Sequence, residues 1–309
     1  MAEFKFFCPQ CGKQIQCDTG YSGTQINCPA CKQPITAPHI HGSAVPPNLG
    51  ITRSRTPGNV FGITAALIIL AALVTAVWFG NSMFTRSHLP PGLVGLWSGE
   101  AGGKDLAGGS KPILTDISFA AGKADRAFSF DKMTSAIKIP AGQSLNVGAG
   151  PGFTVMAWIN PSDLSQRNEI FEWNNGATDQ VVTWGVHMQM LKPQEFNLGA
   201  GNLFADVHNV NGSANQIVAK GGTITAKTFQ HVALTYDKAS GIARLFCNGK
   251  IVAEKQFGRL TPQTSYDFYI GRRPAGDGSH SFSGLIDEPA LFNRALSTEE
   301  IQSIYSQQK

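Results

Sequence analysis

Residues 59 to 80 read Asn-Val-Phe-Gly-Ile-Thr-Ala-Ala-Leu-Ile-Ile-Leu-Ala-Ala-Leu-Val-Thr-Ala-Val-Trp-Phe-Gly, and no charged side chain occurs between Arg55 and Arg86. A helix of about 20 residues crosses the roughly 30 Å hydrocarbon core of a bilayer, so this run is long enough to span one. Its apolar character goes all the way round, whereas a helix lying on a globular core carries one apolar stripe. Trp78 and Phe79 close the run where aromatic rings settle at headgroup level. The sequence therefore predicts a single transmembrane helix over 59–80. A folded unit precedes it, so the run reads as an uncleaved anchor rather than a signal peptide.

The flanks set the expected orientation. Arg53 and Arg55, with Lys32 further back, stand on the N-terminal side against Arg86 and Lys104 on the other. Positive charge accumulates on the cytoplasmic side of a membrane protein, which places the N-terminus in the cytoplasm and residues 90 to 309 outside it, on a cell (inner) membrane. Residues 1 to 58 hold five Lys/Arg against two acids, and residues 81 to 309 twenty against nineteen. That balance demands no nucleic-acid-binding face.

Five of the six cysteines precede residue 32, and Cys247 is left without a partner in the C-terminal part. Disulfides within that part are excluded. Cys8-Pro-Gln-Cys11 and Cys28-Pro-Ala-Cys31 form two C-x2-C knuckles with sixteen residues between them, within the spacing of a four-thiolate zinc site. Each knuckle bends the backbone so that two thiolates converge, and two complete a tetrahedron around Zn2+ at about 2.3 Å per sulfur. With Cys8, Cys11, Cys28 and Cys31 all supplied by protein, no position is open to water, so the expected ion is structural. A unit of residues 1 to 36 has little core and would take most of its folding free energy from the metal. The alternative, a pair of redox C-x-x-C motifs, comes with a βαβ pattern that is absent. Cys17 reads as a spare thiol, and His39 and His41 are weaker candidates beside a complete thiolate set. Paired thiolates belong in a reducing compartment, which agrees with the orientation above. The segment resembles the small zinc-ribbon modules found at the N-termini of many bacterial proteins.

Residues 37 to 58 carry Pro38, Pro46, Pro47 and Pro57 among Gly, Ser and Asn and read as a flexible linker. A second linker, 81 to 91, ends at Pro90 and Pro91. From Gly92 to Lys309 short β-type runs alternate with Gly, Asn, Asp and Pro turns, the pattern of a sandwich. In Gln230-His-Val-Ala-Leu-Thr-Tyr-Asp237, Val232, Leu234 and Tyr236 share one face and His231, Ala233 and Thr235 the other, as in a half-buried strand. Asn248-Gly249 joins two strand-like runs and suits a hairpin turn in which both residues take positive φ. Ser297-Thr-Glu-Glu300 is a capping box, with Leu296 and Ile301 placed as a hydrophobic staple, and predicts a helix over 298–305.

These pieces resemble, in order, the LamG-like jelly-roll domains of the concanavalin A-like lectin/glucanase superfamily. The resemblance is carried by Gly92-Leu-Val-Gly-Leu-Trp97, Gly122-Lys-Ala-Asp-Arg-Ala-Phe-Ser-Phe-Asp131 and Phe153-Thr-Val-Met-Ala-Trp158. It continues with His231–Asp237, Phe246-Cys-Asn-Gly249, Tyr269-Ile-Gly-Arg272, Gly284-Leu-Ile-Asp-Glu288 and Phe292–Ile301. It implies a mainly β fold, two antiparallel sheets packed as a jelly-roll sandwich with a short C-terminal helix. Such a fold does not by itself fix a function.

The resemblance also implies a binding module for glycans or proteins, some members holding Ca2+ at the rim. Trp173, Trp184 and His187 are candidates for a sugar-stacking platform, with Arg272, Arg273 and Asp277 in a Gly-rich loop at its edge. Trp97 and Trp158 read more simply as core. Asp287 is the candidate Ca2+ ligand because it stands in the family's Ile-Asp-Glu stretch. Retaining glycosidases need two carboxylates about 5 to 5.5 Å apart on one face. By plain alternation Glu169 and Glu172 point to opposite faces, as do Asp287 and Glu288, and there is no nucleophile elbow. The expectation is a membrane-anchored, non-catalytic, extracytoplasmic binding module whose cytoplasmic ribbon is structural. A structural or signalling protein whose sandwich meets another protein is the alternative.

Overall fold

A computed structural model describes residues 3 to 8, 13 to 38, 89 to 177, 184 to 274 and 280 to 308. The expected transmembrane segment 59–80, Cys11, His39, His41 and Asp277 lie outside these residues. Among the described residues no helix is long and apolar enough to cross a membrane. The chain divides into two compact units between Ala66 and Leu67.

In the first unit β1 (Glu3–Phe7) pairs antiparallel with β2 (Gln14–Asp18), and β3 (Gln25–Asn27) with β4 (Pro34–Thr36). Its core is small: Ile15, Ile35, Cys8 and Cys28 are the buried members. So little apolar burial leaves the unit dependent on a further stabilising element.

The second unit opens with β5 (Leu93–Leu96), β6 (Ile113–Thr115), β7 (Ser118–Ala121), β8 (Arg126–Phe130), β9 (Ala136–Ile139) and the long β10 (Gly152–Pro161). Next come β11 (Asn168–Asn174), β12 (Trp184–Met190), β13 (Leu203–Asp206) and β14 (Gln216–Ala219). The chain ends with β15 (Gln230–Asp237), β16 (Ile242–Cys247), β17 (Lys250–Gln256), β18 (Asp267–Ile270), β19 (Gly284–Phe292) and helix α1 (Thr298–Gln307). One sheet runs β17-β16-β15-β10-β19-β8-β7 with β5 also paired to β19, and the other runs β14-β13-β12-β11-β18-β9-β6. Every pairing is antiparallel, as expected of a jelly-roll sandwich.

Between the sheets lies one apolar core that includes Trp97, Phe128, Phe153, Trp173, Tyr236 and Phe268. Tyr236 keeps its hydroxyl satisfied by donating to the Gly258 carbonyl at 2.9 Å, which is what a buried phenol requires. Val232, Leu234 and Tyr236 of β15 face this core as the alternation predicts. The other face of β15 is not solvated as a half-buried strand would be. Ala233 joins Met156, Phe246, Phe292, Leu296, Ile301 and Ile304 in a second core beneath α1, so helix packing buries both faces.

Local chemistry fixes the rest. Asn248 and Gly249 take φ 49° and 75° in the β16–β17 turn, as the hairpin signal requires. Ser297 Oγ accepts from the Glu300 N–H, and the Glu300 carboxylate accepts from the Ser297 N–H at 2.8 Å, so the capping box starts α1 at Thr298. The helix runs to Gln307, slightly beyond the expected end.

Candidate functional site

Strand β11 occupies the middle of the seven-stranded sheet, and its register slips against β12 between Glu169 and Phe171. A β-bulge places one extra residue in a strand and resets which way the following side chains point. Here Ile170 and Phe171 both enter the core, as does Trp173. Glu169 and Glu172 consequently share the outer face, which corrects the expectation that residues three apart on this strand diverge. Both meet Arg273: its Nε lies 3.0 and 2.7 Å from the two Glu172 oxygens, and its Nη2 lies 3.7 Å from Glu169 Oε2.

Arg273 reaches them because the chain turns sharply after β18. Gly271 has φ +80°, and a Cβ there would sit 2.1 Å from the Phe130 ring, so only glycine fits. Beyond it Arg272 bridges to Ser281, and the Arg273 N–H donates to the His280 carbonyl at 2.9 Å. That short hairpin delivers Arg273 and His280 to the cluster.

The neighbouring strands complete it. Trp184 starts β12, its ring 4.8 Å from the Arg273 guanidinium carbon and 6.1 Å from the His208 ring. His187 lies 5.8 Å from His208, whose Nε2 is 3.5 Å from Asp206 Oδ2. Arg167 is gripped by Glu195 through Nε at 2.8 and 3.0 Å and through Nη2, and its Nη1 is 2.5 Å from His280 Nε2.

Burial governs the electrostatics. Removal from water pushes Glu169 up to about 8, against the pull of Arg273 and Arg167. Burial and then the charge of Glu169 push Glu172 up to about 7. The same desolvation opposes the charge on Arg273, but the two carboxylates outweigh it and hold the guanidinium above its usual range. Burial, reinforced by Arg273, drives His187 down to about 3 and His280 to about 4, so both imidazoles stay neutral. Among the described residues, both Glu169 oxygens, Gln189 Oε1, His208 Nδ1, Arg273 Nη2 and His280 Nδ1 are buried without a hydrogen bond, although Arg273 Nη2 and His280 Nδ1 each lie 3.7 Å from Glu169 Oε2. Polar groups buried together in this way are matched by one another at longer range or by ordered water.

Of the residues singled out in the sequence, Trp184, His187 and Arg273 are brought together on this face. Trp173 is not available to a ligand: its ring lies in the core, 4.4 Å between centroids from Phe268. The bulge is the reason, since it turns Trp173 inward where Trp184 on the next strand stays half-exposed. His187 is buried at 4% exposure, so it lines the cluster and offers no stacking surface. Arg272 has a buried Nε without a partner and takes no part in the ion pairs of Arg273. Three-residue spacing on a strand gives no sign that Glu169 and Glu172 share a face, and Asp206, His208 and His280 come from stretches of chain that no motif links to them.

A second group lies on the other sheet. Carboxylate oxygens of Glu100, Asp287 and Glu288 fall within 4.8 Å of one another. Adjacent residues on a strand point apart, but Glu288 takes φ 47° and β19 slips register against β10 beside it, so Asp287 and Glu288 converge. Asp287 Oδ2 accepts from the N–H groups of Lys123 and Ala124 at 2.8 and 3.0 Å, while Glu288 Oε2 is buried without a partner. Burial lifts Asp287 to about 7 and Glu288, with the charge of Asp287 added, to about 8. Crowded carboxylate oxygens with unused lone pairs are a donor set that fits a hard divalent cation such as Ca2+.

In the N-terminal unit the Sγ atoms of Cys8, Cys28 and Cys31 also lie within 4.8 Å of one another, and Cys8 and Cys31 approach to 3.8 Å. The backbone N–H of Cys31 draws the Cys28 thiol down to about 6, toward the thiolate that a metal binds. Three converging sulfurs fit a thiolate-bound zinc ion, and Cys17 stands outside the group.

The family described as the concanavalin A-like lectin/glucanases superfamily matches residues 131–302. No curated protein matches the chain. Among solved structures, the binding domain of Paraclostridial Mosquitocidal Protein 1 is similar at TM-score 0.53 and 19% identity, over 69% of this chain and 52% of that one. The botulinum neurotoxin serotype D ligand binding domain in complex with N-acetylneuraminic acid is similar at TM-score 0.53 and 15% identity, over 69% of this chain and 50% of that one. This chain thus spans about half the length of the toxin domains it matches. Domain 4 of AbnA, a GH43 extracellular arabinanase from Geobacillus stearothermophilus solved with arabinotriose, gives TM-score 0.50 and 21% identity, over 69% of this chain and 97% of that one.

Proposed function

Since the chain belongs to the concanavalin A-like lectin/glucanases superfamily, we propose that residues 92–309 are a non-catalytic module that binds carbohydrate on the outer face of the seven-stranded sheet. The observation that carries this reading is the half-exposed ring of Trp184, held 4.8 Å from the Arg273 guanidinium carbon on that face. A sugar offers an apolar face that stacks on such an indole. Structures of similar fold hold N-acetylneuraminic acid and arabinotriose, which agrees with a glycan ligand. Glu169 and Glu172 share a face but have no exposed surface and are tied to one guanidinium, so they hold Arg273 and the indole beside it in place rather than act on a sugar.

The wider reading keeps the expected architecture: 59–80 as a single membrane span, the N-terminus cytoplasmic, and the sandwich outside an inner membrane. In the cytoplasmic unit Cys8, Cys11, Cys28 and Cys31 would hold structural Zn2+, supported by the convergence of three of their sulfurs. Glu100, Asp287 and Glu288 would hold Ca2+, which neutralises their mutual repulsion and ties the segment after β5 to the last strand.

The test is retention of the full-length chain on a glycan panel, with Trp184→Ala as the control variant. Retention of a defined glycan that falls at least ten-fold in the variant supports the reading, whereas silence across the panel points to a protein partner. Metal analysis of the same preparation checks the ribbon: one zinc per chain is expected, lost in Cys28→Ser.

A further inference from the structure

We propose that the sandwich carries a second carbohydrate site, an open cleft on the outer face of the eight-stranded sheet that takes a neutral oligosaccharide, an inference that rests on reading residues 92–309 as a carbohydrate-binding module. On that face β10 shows Met156 and Trp158 to helix α1: Met156 lies in the core beneath the helix, and Trp158 Nε1 donates to Gln308 Oε1 at 2.6 Å. Asn160, the next residue on the same face, instead lines a cleft of about 460 Å3 to which α1 contributes nothing. Strands β19 and β8 continue the row, because Leu285 pairs with both Asn160 and Ser129. Two residues further along the three chains stand Ser162, Ser283 and Asp131, which line the same cleft. Gly284 lets β19 lie close against β10 at this point: a Cβ there would sit 2.2 Å from the Asn160 carbonyl oxygen.

The polar groups of the cleft are open to water and uncommitted. Among the described residues the side chains of Asp131, Asn160 and Lys227 make no hydrogen bond or ion pair, and Ser162 and Ser283 approach one another only to 3.4 Å. Lys227, in the β14–β15 connection, is set at the cleft wall against its own backbone preference. Its φ is 57°, in the left-handed region that residues with a side chain avoid, and its N–H is fixed to the Pro161 carbonyl at 2.7 Å. Glycine would adopt that turn without strain, and strain retained at one exposed position points to a use for the side chain.

The strands narrow the class of ligand. β8, β10 and β19 are each paired on both sides, so no free backbone edge is offered to a peptide strand and recognition falls to side chains. Hydroxyls, an amide, one carboxylate and one ammonium both give and accept hydrogen bonds, as sugar hydroxyls require, and Leu285 offers an apolar patch to the C–H face of a ring. One acid, Asp131, against one cation, Lys227, leaves the cleft without net charge, which suits a neutral sugar. A second cleft of about 430 Å3 shares Phe130, Asp131 and Ser283 with the first and continues past Met133 and Phe282. Each is large enough for a small ligand by itself, so the pair suits an oligosaccharide rather than a single sugar.

The experiment titrates the full-length chain with short neutral oligomers of glucose, arabinose and N-acetylglucosamine. It compares wild type, Trp184→Ala, and Trp184→Ala combined with Asn160→Ala and Lys227→Gly. Two sites engaged on one glycan surface hold more tightly than either alone, so Trp184→Ala loses most surface retention and still binds a short oligomer. Adding Asn160→Ala and Lys227→Gly should weaken that remaining binding at least ten-fold. Neither side chain is bonded within the fold, so the melting temperature should stay close to that of Trp184→Ala; a merely structural role would move the melt and spare the binding. Complete loss of oligomer binding in Trp184→Ala, or remaining binding that the two further substitutions leave unchanged, overturns the second site and leaves the sheet-face reading standing. Retention that survives Trp184→Ala undiminished and disappears with Asn160→Ala and Lys227→Gly supports the second site and overturns the sheet-face one. No binding of any probe to wild type overturns both.

Discussion

Arg273 lays its Nε against both carboxylate oxygens of Glu172, at 3.0 and 2.7 Å, and each group is almost wholly removed from water by the sheet it sits on. Breaking such a pair by removing one partner leaves the other as an uncompensated buried charge, which costs roughly 3 to 5 kcal/mol. Arg273→Met should therefore lower unfolding free energy by about that amount in a denaturant titration at about pH 9, above the folded values of about 8 and about 7 for Glu169 and Glu172. A loss below about 1 kcal/mol there would mean that the guanidinium does little to hold the two carboxylates ionised.

Glu169 gives the same cluster a pH dependence of known sign. Its folded pKa of about 8 stands above the ordinary 4.5 because burial disfavours the carboxylate. The stabilising contribution is complete below the unfolded value and is lost as pH rises through the folded one. Glu172 acts in the same sense through about 7. Stability of the wild type should thus fall between about pH 5 and pH 8, and Glu169→Gln should flatten that slope, by on the order of a few kcal/mol at pH 8. Parallel slopes in the two proteins would overturn this.

His231 predicts the opposite limb. Its imidazole is 1% exposed, packed 5.5 Å from the Trp158 ring and 6.5 Å from Tyr305 of α1, with neither nitrogen hydrogen-bonded. Burial depresses its pKa from 6.5 to about 4, so the neutral ring belongs to the fold and its contribution is lost as pH falls below 6.5 toward 4. His231→Phe should melt higher than wild type at about pH 5 and within about 1 kcal/mol of it at pH 8. Helix α1 should be the element whose amides lose hydrogen-exchange protection first on acidification.

Much of this architecture is legible residue by residue. Asn248-Gly249 demands its turn, Ser297 and Glu300 demand their cap, and Trp97 and Tyr236 are inward-facing on any reading of the alternation. The site is less legible, because its defining features are departures from alternation. The slip at Ile170 is set by how β11 and β12 share hydrogen bonds, a property of two strands that neither strand's sequence carries. It decides that Glu169 and Glu172 cooperate and that Trp173, rather than Trp184, goes inside. The left-handed Glu288 does the same for Asp287. Composition marks glycine for positive φ, and nothing about glutamate marks it.

At Asp287 and Glu288 the consequence is a cation effect that thermal melting can measure. With Glu100 they bring three carboxylates within 4.8 Å. An ion that binds only the folded chain stabilises it by about 2.7 kcal/mol when present at roughly 100 times its dissociation constant. Ca2+ should raise the melting temperature of the sandwich by several degrees, a chelator should reverse the rise, and Glu100→Gln should shrink it. An unchanged melt on adding millimolar Ca2+ would count against a cation there.

Two glycines with nearly equal backbone angles separate conformational strain from collision. Gly258 has φ +77° and would place a Cβ in open space, whereas Gly271 has φ +80° and would place one 2.1 Å from the Phe130 ring. An L residue in this region costs roughly 1 to 2 kcal/mol from the backbone alone, so Gly258→Ala should lose about that much. Gly271→Ala adds a steric overlap with a ring fixed in the core, and the hairpin that carries Arg273 must move to relieve it. It should cost at least about 2 kcal/mol more, in line with other overpacked interiors, and glycan retention should fall even at temperatures where the variant stays folded. Equal losses in the two variants would mean that the Phe130 ring yields and that the turn, rather than the packing beneath it, holds Arg273 in place.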